Sequence, residues 1–137
     1  MQLVVAAIIE RSDRRILIGQ RRRTDSSPLK WEFPGGKVEQ GEMPEEALRR
    51  ELREELNAEM TNCAEISRVL HKYESRDEPL EVRFFAAAIA EKEPEALMFE
   101  QIAWVLPREL GDYDFLAANR QIIAYLATGK LKPSDFL

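Results

Sequence analysis

The segment WEFPGGKVEQGEMPEEALRRELREELNA, residues 31–58, decides the fold. Its second half predicts an α-helix from Pro44 to about Leu56, because proline suits the first helical position and acidic residues follow it at the positive end of the helix dipole. Within this helix a leucine recurs every fourth residue, at Leu48, Leu52 and Leu56. This spacing places one apolar stripe against a core and leaves the other face to charged residues.

Three glutamates are expected to crowd the charged face of this helix. Glu51, Glu54 and Glu55 are three and four residues apart, and residues at these spacings are neighbours on a helix surface. Like charges so placed repel by roughly 0.2–0.5 kcal/mol per exposed pair, and a divalent cation removes that repulsion. Oxygen donors without sulfur or imidazole nearby favour Mg²⁺, Mn²⁺ or Ca²⁺. The alternative is a solvated charged face, because Glu46 and Arg50 have the spacing of an ordinary ion pair.

The residues before the helix extend this pattern into a longer motif. Gly36, five residues, Glu42, seven residues and then the run Arg50–Glu55 resemble the Nudix box, G-x5-E-x7-R-E-U-x-E-E-x-G-U, in which U is a bulky aliphatic residue. The sequence departs from the box at Asn57, where the box has glycine, and at Ala58, where it has an aliphatic residue. Since asparagine tolerates the left-handed conformation, we expect Asn57 to end the helix as the glycine does.

The resemblance covers most of the chain. Residues 31–37 and the C-terminal part resemble the MutT branch of the Nudix family. This resemblance implies an α+β Nudix fold, with a mixed β-sheet sandwiched between helices (α-β-α), in a single Nudix hydrolase domain over residues 1–137. It also implies Mg²⁺-dependent hydrolysis of a nucleoside triphosphate to a nucleoside monophosphate and pyrophosphate, with Mn²⁺ as a substitute cation.

The resemblance also assigns residues to the metal and to catalysis. By position, the metal ligands are Glu51, Glu54, Glu55 and a glycine carbonyl, that of Gly35 or Gly36. Glu51 and Glu54 are also expected to act in catalysis, one of them positioning or deprotonating the attacking water, while Arg50 orients a neighbouring glutamate. Glu42 is either an outer metal ligand or, as we favour, a cap for its own loop.

A later loop leaves a further carboxylate open. MutT-like proteins often carry a glutamate six residues before the tryptophan that is Trp104 here, and this chain has Met98 at that position. Either Glu100 substitutes for the missing glutamate or the site lacks this carboxylate.

Five residues are expected to bind the substrate, namely Arg21, Phe33, Lys37, Phe84 and Asn119. Asn119 corresponds to an asparagine that lies against the base in MutT proteins, and its amide has the donor and acceptor needed to pair with the N7–H and O6 edge of 8-oxoguanine. The alternative for Asn119 is a helix cap, and relatives that prefer cytidine nucleotides often carry aspartate there. By the same resemblance, Arg21 is expected to reach the nucleotide. Lys37 is expected to contact a phosphate, either alone or bridged with Glu32. Phe33 and Phe84 are expected to wall the base pocket or, more commonly for aromatic residues in strands, to pack in the core.

Hydrophobic patterns predict the remaining elements. Leu3–Ile9 and Arg15–Gln20 are expected to be strands that pair as a hairpin in one sheet. Residues 21–30 predict a polar loop, in which Arg22 and Arg23 contact phosphates or, as we favour, only solvent, and Pro34–Gly36 predicts a break in the chain. Further strands are expected at about 64–74, 81–90 and 102–106, and a last helix from about Ala117 to Thr128 with Gly129 as its stop.

The composition excludes several classes of function. Twenty basic and 25 acidic residues give a net charge of −5, which disfavours binding to a nucleic acid polymer. The longest apolar stretches are far shorter than the roughly 20 residues of a membrane-spanning helix. The N-terminus resembles a first strand and not a signal peptide, so we expect a cytoplasmic protein without a membrane partner. One cysteine (Cys63) and one histidine (His71) exclude the usual zinc clusters, and both are expected to be structural.

Three functions remain open at this point. The first is hydrolysis of 8-oxo-dGTP, the second is hydrolysis of CTP or a modified dCTP, and the third is a non-catalytic Nudix module that binds a nucleotide. The three repelling glutamates favour an enzyme over the binding module, because a pure binder has no need of them. The expected partner is a small nucleotide, and the sequence leaves open whether the protein is a monomer or a homodimer.

Overall fold

Four strands precede the first helix and three strands follow it in the computed structural model, which describes residues 1–74 and 77–137. The strands are β1 (Gln2–Ile9), β2 (Ile16–Gln20), β3 (Trp31–Glu32), β4 (Gly35–Lys37), β5 (Met60–His71), β6 (Leu80–Ile89) and β7 (Gln101–Val105). The helices are α1 (Pro44–Leu56) and α2 (Arg120–Ala127), and shorter 3-10 turns cover Pro107–Asp112, Ala117–Asn119 and Pro133–Phe136. None of the helices in this described part of the chain has the length and hydropathy to cross a membrane.

The strands divide between two sheets. One sheet has the order β4-β1-β6-β5, with β1 parallel to β6, and the other has the order β3-β2-β7. The prediction that β1 and β2 lie in one sheet as a hairpin is therefore wrong. The chain does turn back between them, but only the bridge between Glu10 and Ile16 joins the two arms. The physical reason is that β4 and β6 already occupy the two edges of β1.

Helices cover both faces of this strand layer. Alternate residues of β1 point to opposite faces, so that Val5, Ala7 and Ile9 pack with α1 while Ala6 and Ile8 pack with α2. The strand β2 follows the same rule, with Leu17 on the α1 side and Ile16 and Ile18 on the α2 side. The α+β class with helices on both faces of the strands is confirmed.

The helix α1 has the predicted bounds and the predicted buried stripe. Its three leucines are fully buried. At its start, the Glu46 carboxylate accepts a hydrogen bond from the Met43 backbone N–H at 3.2 Å. At its end, Asn57 adopts the left-handed conformation, with φ 53° and ψ 40°, and its N–H donates to the Arg53 carbonyl. The prediction that Asn57 replaces the usual glycine in this turn is confirmed.

The last helix differs from its prediction at the start. Residues Ala117–Asn119 form a 3-10 turn, and the α-helix begins only at Arg120. The preceding segment is tied to β3, because the Leu116 N–H donates to the Trp31 carbonyl at 3.0 Å. Gly129 follows the helix with φ 76°, which agrees with its predicted role as the stop.

Substitution of Asn57 tests how this turn holds α1 in place. Asn57→Gly is expected to change the free energy of unfolding by less than about 1 kcal/mol, since glycine adopts the left-handed conformation without strain. Asn57→Val is expected to lower it by about 1–2 kcal/mol, because a β-branched side chain opposes this conformation. Urea denaturation of both variants measures the difference, and equal stabilities would contradict the role given to the turn.

Candidate active site

A cavity of about 340 Å³ opens over β1, β4 and β6. Six of the predicted site residues line it, namely Arg21, Phe33, Gly35, Lys37, Glu55 and Asn119. Its volume lies within the range of pockets that hold small ligands, roughly 300–1,000 Å³. Its lining includes β4 and Glu55 as well as Asn119, so it combines a carboxylate with an uncharged amide.

The first two residues of β4 are glycines that pack too closely for a side chain. A Cβ atom at Gly35 would overlap the Val5 carbonyl oxygen of β1, and Gly35 has φ 155°. A Cβ atom at Gly36 would lie 2.5 Å from the carboxyl carbon of Glu51. The predicted break is confirmed at Pro34, which separates β3 from β4 and thus one sheet from the other. The prediction is wrong for the two glycines, since they belong to a short strand that fits between β1 and the carboxylates of α1.

Burial disfavours the charged form of the carboxylates beside β4. Glu55 accepts a hydrogen bond from the Gly35 N–H at 2.9 Å. Burial raises the pKa of Glu55 to about 9, and the nearby charges of Glu32 and Glu51 add to this effect. Burial also raises the pKa of Glu51, against the opposing effect of Arg50. A cation at this position would relieve the repulsion that these carboxylates exert on one another.

Arg50 connects the glutamates of α1 to the preceding loop. Its Nε and Nη2 donate to the two carboxylate oxygens of Glu42 at 2.9 and 3.0 Å. Its Nη1 donates to Glu51 at 2.9 Å, and Nη2 also donates to the Lys37 carbonyl at 3.0 Å. Glu42 accepts a further hydrogen bond from the Glu39 N–H at 3.0 Å. Glu42 thus closes its own loop and fixes Arg50, as in the cap that we favoured from the sequence.

The donor set fits a hard divalent cation. Glu51 lies against Gly36 and Glu55 is bonded to Gly35, so both carboxylates adjoin the β4 backbone. Glu54 is 55% exposed and contacts Arg50 at 3.4 Å, and residues 1–74 and 77–137 contain no group of three acidic, histidine or cysteine side chains gathered closely enough to hold a metal. A cation bound by all three glutamates would therefore require their side chains to move from these positions, since Glu51 and Glu54 both contact Arg50. Donors of this kind are carboxylate and carbonyl oxygens, which suit Mg²⁺ and Mn²⁺.

The cavity lining also includes an amide without a hydrogen-bond partner among the described residues. Asn119 is only 5% exposed, yet its side chain makes no hydrogen bond within the described residues, including none that would cap α2. The helix-cap alternative for Asn119 is therefore wrong. A buried amide normally has hydrogen-bond partners, so one that lines an open cavity is suited to a polar ligand. The Phe33 ring lines the same cavity and supplies an apolar surface.

Arg21 is held at the rim of the cavity. Its Nη1 lies 3.2 and 3.3 Å from the two carboxylate oxygens of Glu32, and its Nε donates to the Ser26 carbonyl at 2.7 Å. Sequence reasoning named Glu32 only as a bridge to Lys37 and missed this ion pair. The ion pair follows from the register of β2 and β3. Glu32 is opposite Gly19, so Arg21 is the diagonal neighbour of Glu32 on the same face. Burial raises the pKa of Glu32.

Other predicted residues lie outside the cavity lining. Phe84 is 1% exposed and packs edge-on behind Phe33, with ring centroids 6.3 Å apart, so it belongs to the core and not to the pocket wall. The reason is that β6 faces the cavity at Leu80 and Val82, while the same face is covered by the core at position 84. His71 and Cys63 are partly buried in β5 and do not line the cavity.

The later loop brings no further carboxylate to the cavity. Glu100 pairs with Arg23 at 3.4 Å, and Met98 is half exposed. Arg22 donates to the Leu97 carbonyl, so both arginines contact this loop instead of being purely solvated. The Leu97 N–H donates to the Glu55 carbonyl at 3.0 Å, which joins the loop to the end of α1.

The pair between Glu42 and Arg50 predicts a pH dependence of stability. Arg50 lowers the pKa of Glu42 to about 2, from the ordinary carboxyl value of 4.5. A lowered pKa contributes stability that is present above the ordinary value and is lost as the pH falls toward 2. The variant Glu42→Gln is therefore expected to lose less stability than the wild type between pH 5 and pH 2.5. Urea denaturation across this range measures the effect, and parallel curves would contradict it.

Comparison with known proteins agrees with this geometry. The NUDIX domain model matches residues 1–126. The chain is 36% identical to the CTP pyrophosphohydrolase of Escherichia coli over 141 aligned positions, covering 96% of each protein. It is 32% identical to the 8-oxo-dGTP diphosphatase of E. coli, covering 90% of this chain and 94% of that protein. A structure from work on the MutT proteins of Aliivibrio salmonicida and Vibrio cholerae superposes with a TM-score of 0.79 at 32% identity, covering 93% and 98% of the two chains. The chain therefore belongs to the NUDIX domain family and is a MutT-like Nudix hydrolase.

Proposed function

We propose that this protein hydrolyses nucleoside triphosphates to a nucleoside monophosphate and pyrophosphate with Mg²⁺, and that 8-oxo-dGTP is its preferred substrate. Nudix hydrolases generally use divalent cations and act on small nucleotides. The observation that carries the proposal is one cavity lined both by the free Asn119 amide and by the Gly35–Glu55 contact. A nucleotide fits this combination, because it carries a hydrogen-bonding base and charged phosphates, joined through a sugar.

At the base end, Asn119 would determine which nucleobase binds. Its amide offers one acceptor and two donor protons in a mostly buried position. The edge of 8-oxoguanine presents N7–H beside O6, which matches this amide, whereas unmodified guanine has an acceptor at N7. A site built to pair with a donor rejects a base that lacks it, because a buried polar group is then left unpaired.

At the phosphate end, Glu51, Glu54, Glu55 and the Gly35 carbonyl would hold the cation. When bound, a divalent cation neutralises phosphate charge and lowers the pKa of coordinated water. Glu51 or Glu54 would take the proton of the attacking water, which bonds to phosphorus as the bond to the leaving phosphate oxygen breaks. Arg50 would keep Glu51 oriented through the 2.9 Å hydrogen bond. Lys37 and Arg21 line the cavity and would contact phosphate oxygens.

A cytidine nucleotide is the second candidate substrate. The similarity to the CTP pyrophosphohydrolase of E. coli favours it, since the alignment covers 96% of each protein. Asn119 favours the purine, because its amide complements the edge of 8-oxoguanine. The two candidates share one reaction and differ only at the base end of the cavity.

A substrate panel tests the proposal. Pyrophosphate release with Mg²⁺ is measured for 8-oxo-dGTP, dGTP, CTP, dCTP and 5-methyl-dCTP, and compared as kcat/KM, with Mn²⁺ in a second series. We expect the highest value for 8-oxo-dGTP. A highest value for a cytidine nucleotide would select the second candidate, and an absence of release from every nucleotide would contradict the proposed reaction.

Glu54→Gln tests the assignment of the carboxylates. This change removes a metal ligand and a negative charge from an exposed position, so we expect kcat to fall by roughly 100-fold or more while the protein stays folded. Glu45→Gln is the matched control, because Glu45 is an exposed glutamate in the first turn of the same helix. Near-normal turnover of Glu54→Gln would contradict its place in the site.

Asn119→Ala tests the base assignment. Loss of its hydrogen bonds is expected to raise KM for 8-oxo-dGTP by roughly 10-fold and to narrow the preference over dGTP. Asn62→Ala serves as the control, since Asn62 is exposed on β5 and lies outside the cavity lining. If the preference is unchanged in Asn119→Ala, another residue selects the base.

A further inference from the structure

Tyr73 brings a second polar group to the base end of the cavity. This residue follows β5 and lines the cavity together with Asn119. Its ring packs edge-on against His71, with 4.3 Å between ring centroids, and rests against the hydrophobic core on the α2 side. These contacts fix the direction of the side chain, and the sequence analysis gave Tyr73 no role.

The Tyr73 hydroxyl joins β5 to the turn that carries Asn119. It accepts a hydrogen bond from the backbone N–H of Ala118 at 3.4 Å. Ala118 directly precedes Asn119 within the 3-10 turn, so the hydroxyl is hydrogen-bonded to the residue next to the one that carries the free amide. Tyr73 and Asn119 both line the cavity.

This hydrogen bond leaves the hydroxyl proton available. A tyrosine hydroxyl has one proton and two lone pairs, and the bond from Ala118 uses a lone pair. Among residues 1–74 and 77–137, no side chain or carbonyl accepts that proton. Tyr73 is half-buried and lines the cavity, so a ligand that supplies an acceptor there can take this proton without displacing the bond from Ala118.

We propose that Tyr73 is a specificity-determining residue that donates its hydroxyl proton to an acceptor atom of the nucleobase while Asn119 binds the adjacent edge. This inference rests on the proposed function, because it takes the base to lie beside Asn119. A carbonyl oxygen on the base accepts the hydroxyl proton, whereas an amino group at that place leaves this proton without an acceptor. The ligand class is therefore a nucleotide whose base presents a carbonyl oxygen to Tyr73.

Binding of nucleoside monophosphates tests this contact without turnover. The dissociation constants of 8-oxo-dGMP and dAMP are measured by calorimetry for the wild type, for Tyr73→Phe and for the control Tyr113→Phe. Both changes remove one hydroxyl, but Tyr113 packs on Trp31, with ring centroids 5.1 Å apart, outside the cavity lining. We expect Tyr73→Phe to raise Kd for 8-oxo-dGMP by about 2- to 10-fold without weakening dAMP, and Tyr113→Phe to change neither.

Three results would overturn the proposal. These are an equal effect of Tyr73→Phe on both nucleotides, no effect on either, and no binding of 8-oxo-dGMP to the wild type.

A double variant separates a direct contact of Tyr73 with the base from an effect through Asn119. In the Asn119→Ala background, Tyr73→Phe is expected to weaken 8-oxo-dGMP further, and no further weakening would also overturn the proposal.

A separate measurement tests the proposed reaction. Pyrophosphate release reports hydrolysis, whereas monophosphate binding reports only the base contact. Binding that depends on Tyr73 in a protein that releases no pyrophosphate would support the contact and contradict the reaction.

Discussion

The close approach of the β4 backbone to the carboxylates of α1 is the constraint on which the site depends. Gly35 and Gly36 have neighbours where any other residue would place a Cβ atom, on the β1 side and on the Glu51 side respectively. Without side chains at these positions, a backbone N–H can donate to Glu55 and the Gly36 backbone can lie against Glu51. The rest of the fold keeps α1 in the position and orientation that this contact with β4 requires.

Several weak local interactions maintain that position of α1. The leucine stripe fixes the rotation of the helix, since each leucine is fully buried against the strands. The turn at Asn57 fixes its end, and the Arg50–Glu42 pair fixes the loop that leads into it. Arg50 also neutralises part of the charge that burial makes unfavourable at Glu51. Stability and function are therefore coupled here, because the groups that hold the helix also orient its carboxylates.

The cavity lining combines charged, polar and apolar groups. It includes the Glu55 carboxylate together with Arg21 and Lys37, and under the proposed function a cation and these two basic side chains would share the negative charge of a triphosphate. It also includes the Asn119 amide and the Tyr73 hydroxyl, which are directional groups among apolar neighbours such as Phe33 and Val82. In such a pocket a few polar groups determine orientation, while apolar walls supply contact area.

Much of this arrangement could be predicted from sequence, and the failures have identifiable causes. The helix α1 and the turn at Asn57 follow from local spacing and local conformational preference. The separation of β1 and β2 into different sheets could not be predicted, because it depends on which distant strands, β4 and β6, occupy the edges of β1. Phe33 and Phe84 are both buried in the core on the α2 side, and only tertiary packing leaves the Phe33 ring also lining the cavity. Tyr73 was missed because its partner, Ala118, is 45 residues away.

Identification of the products by ³¹P NMR tests the central claim most directly. With 8-oxo-dGTP and Mg²⁺, the account predicts that 8-oxo-dGMP and pyrophosphate appear together at equal rates, and that a chelator stops both. Formation of a nucleoside diphosphate with orthophosphate, or turnover that persists with the chelator, would contradict it.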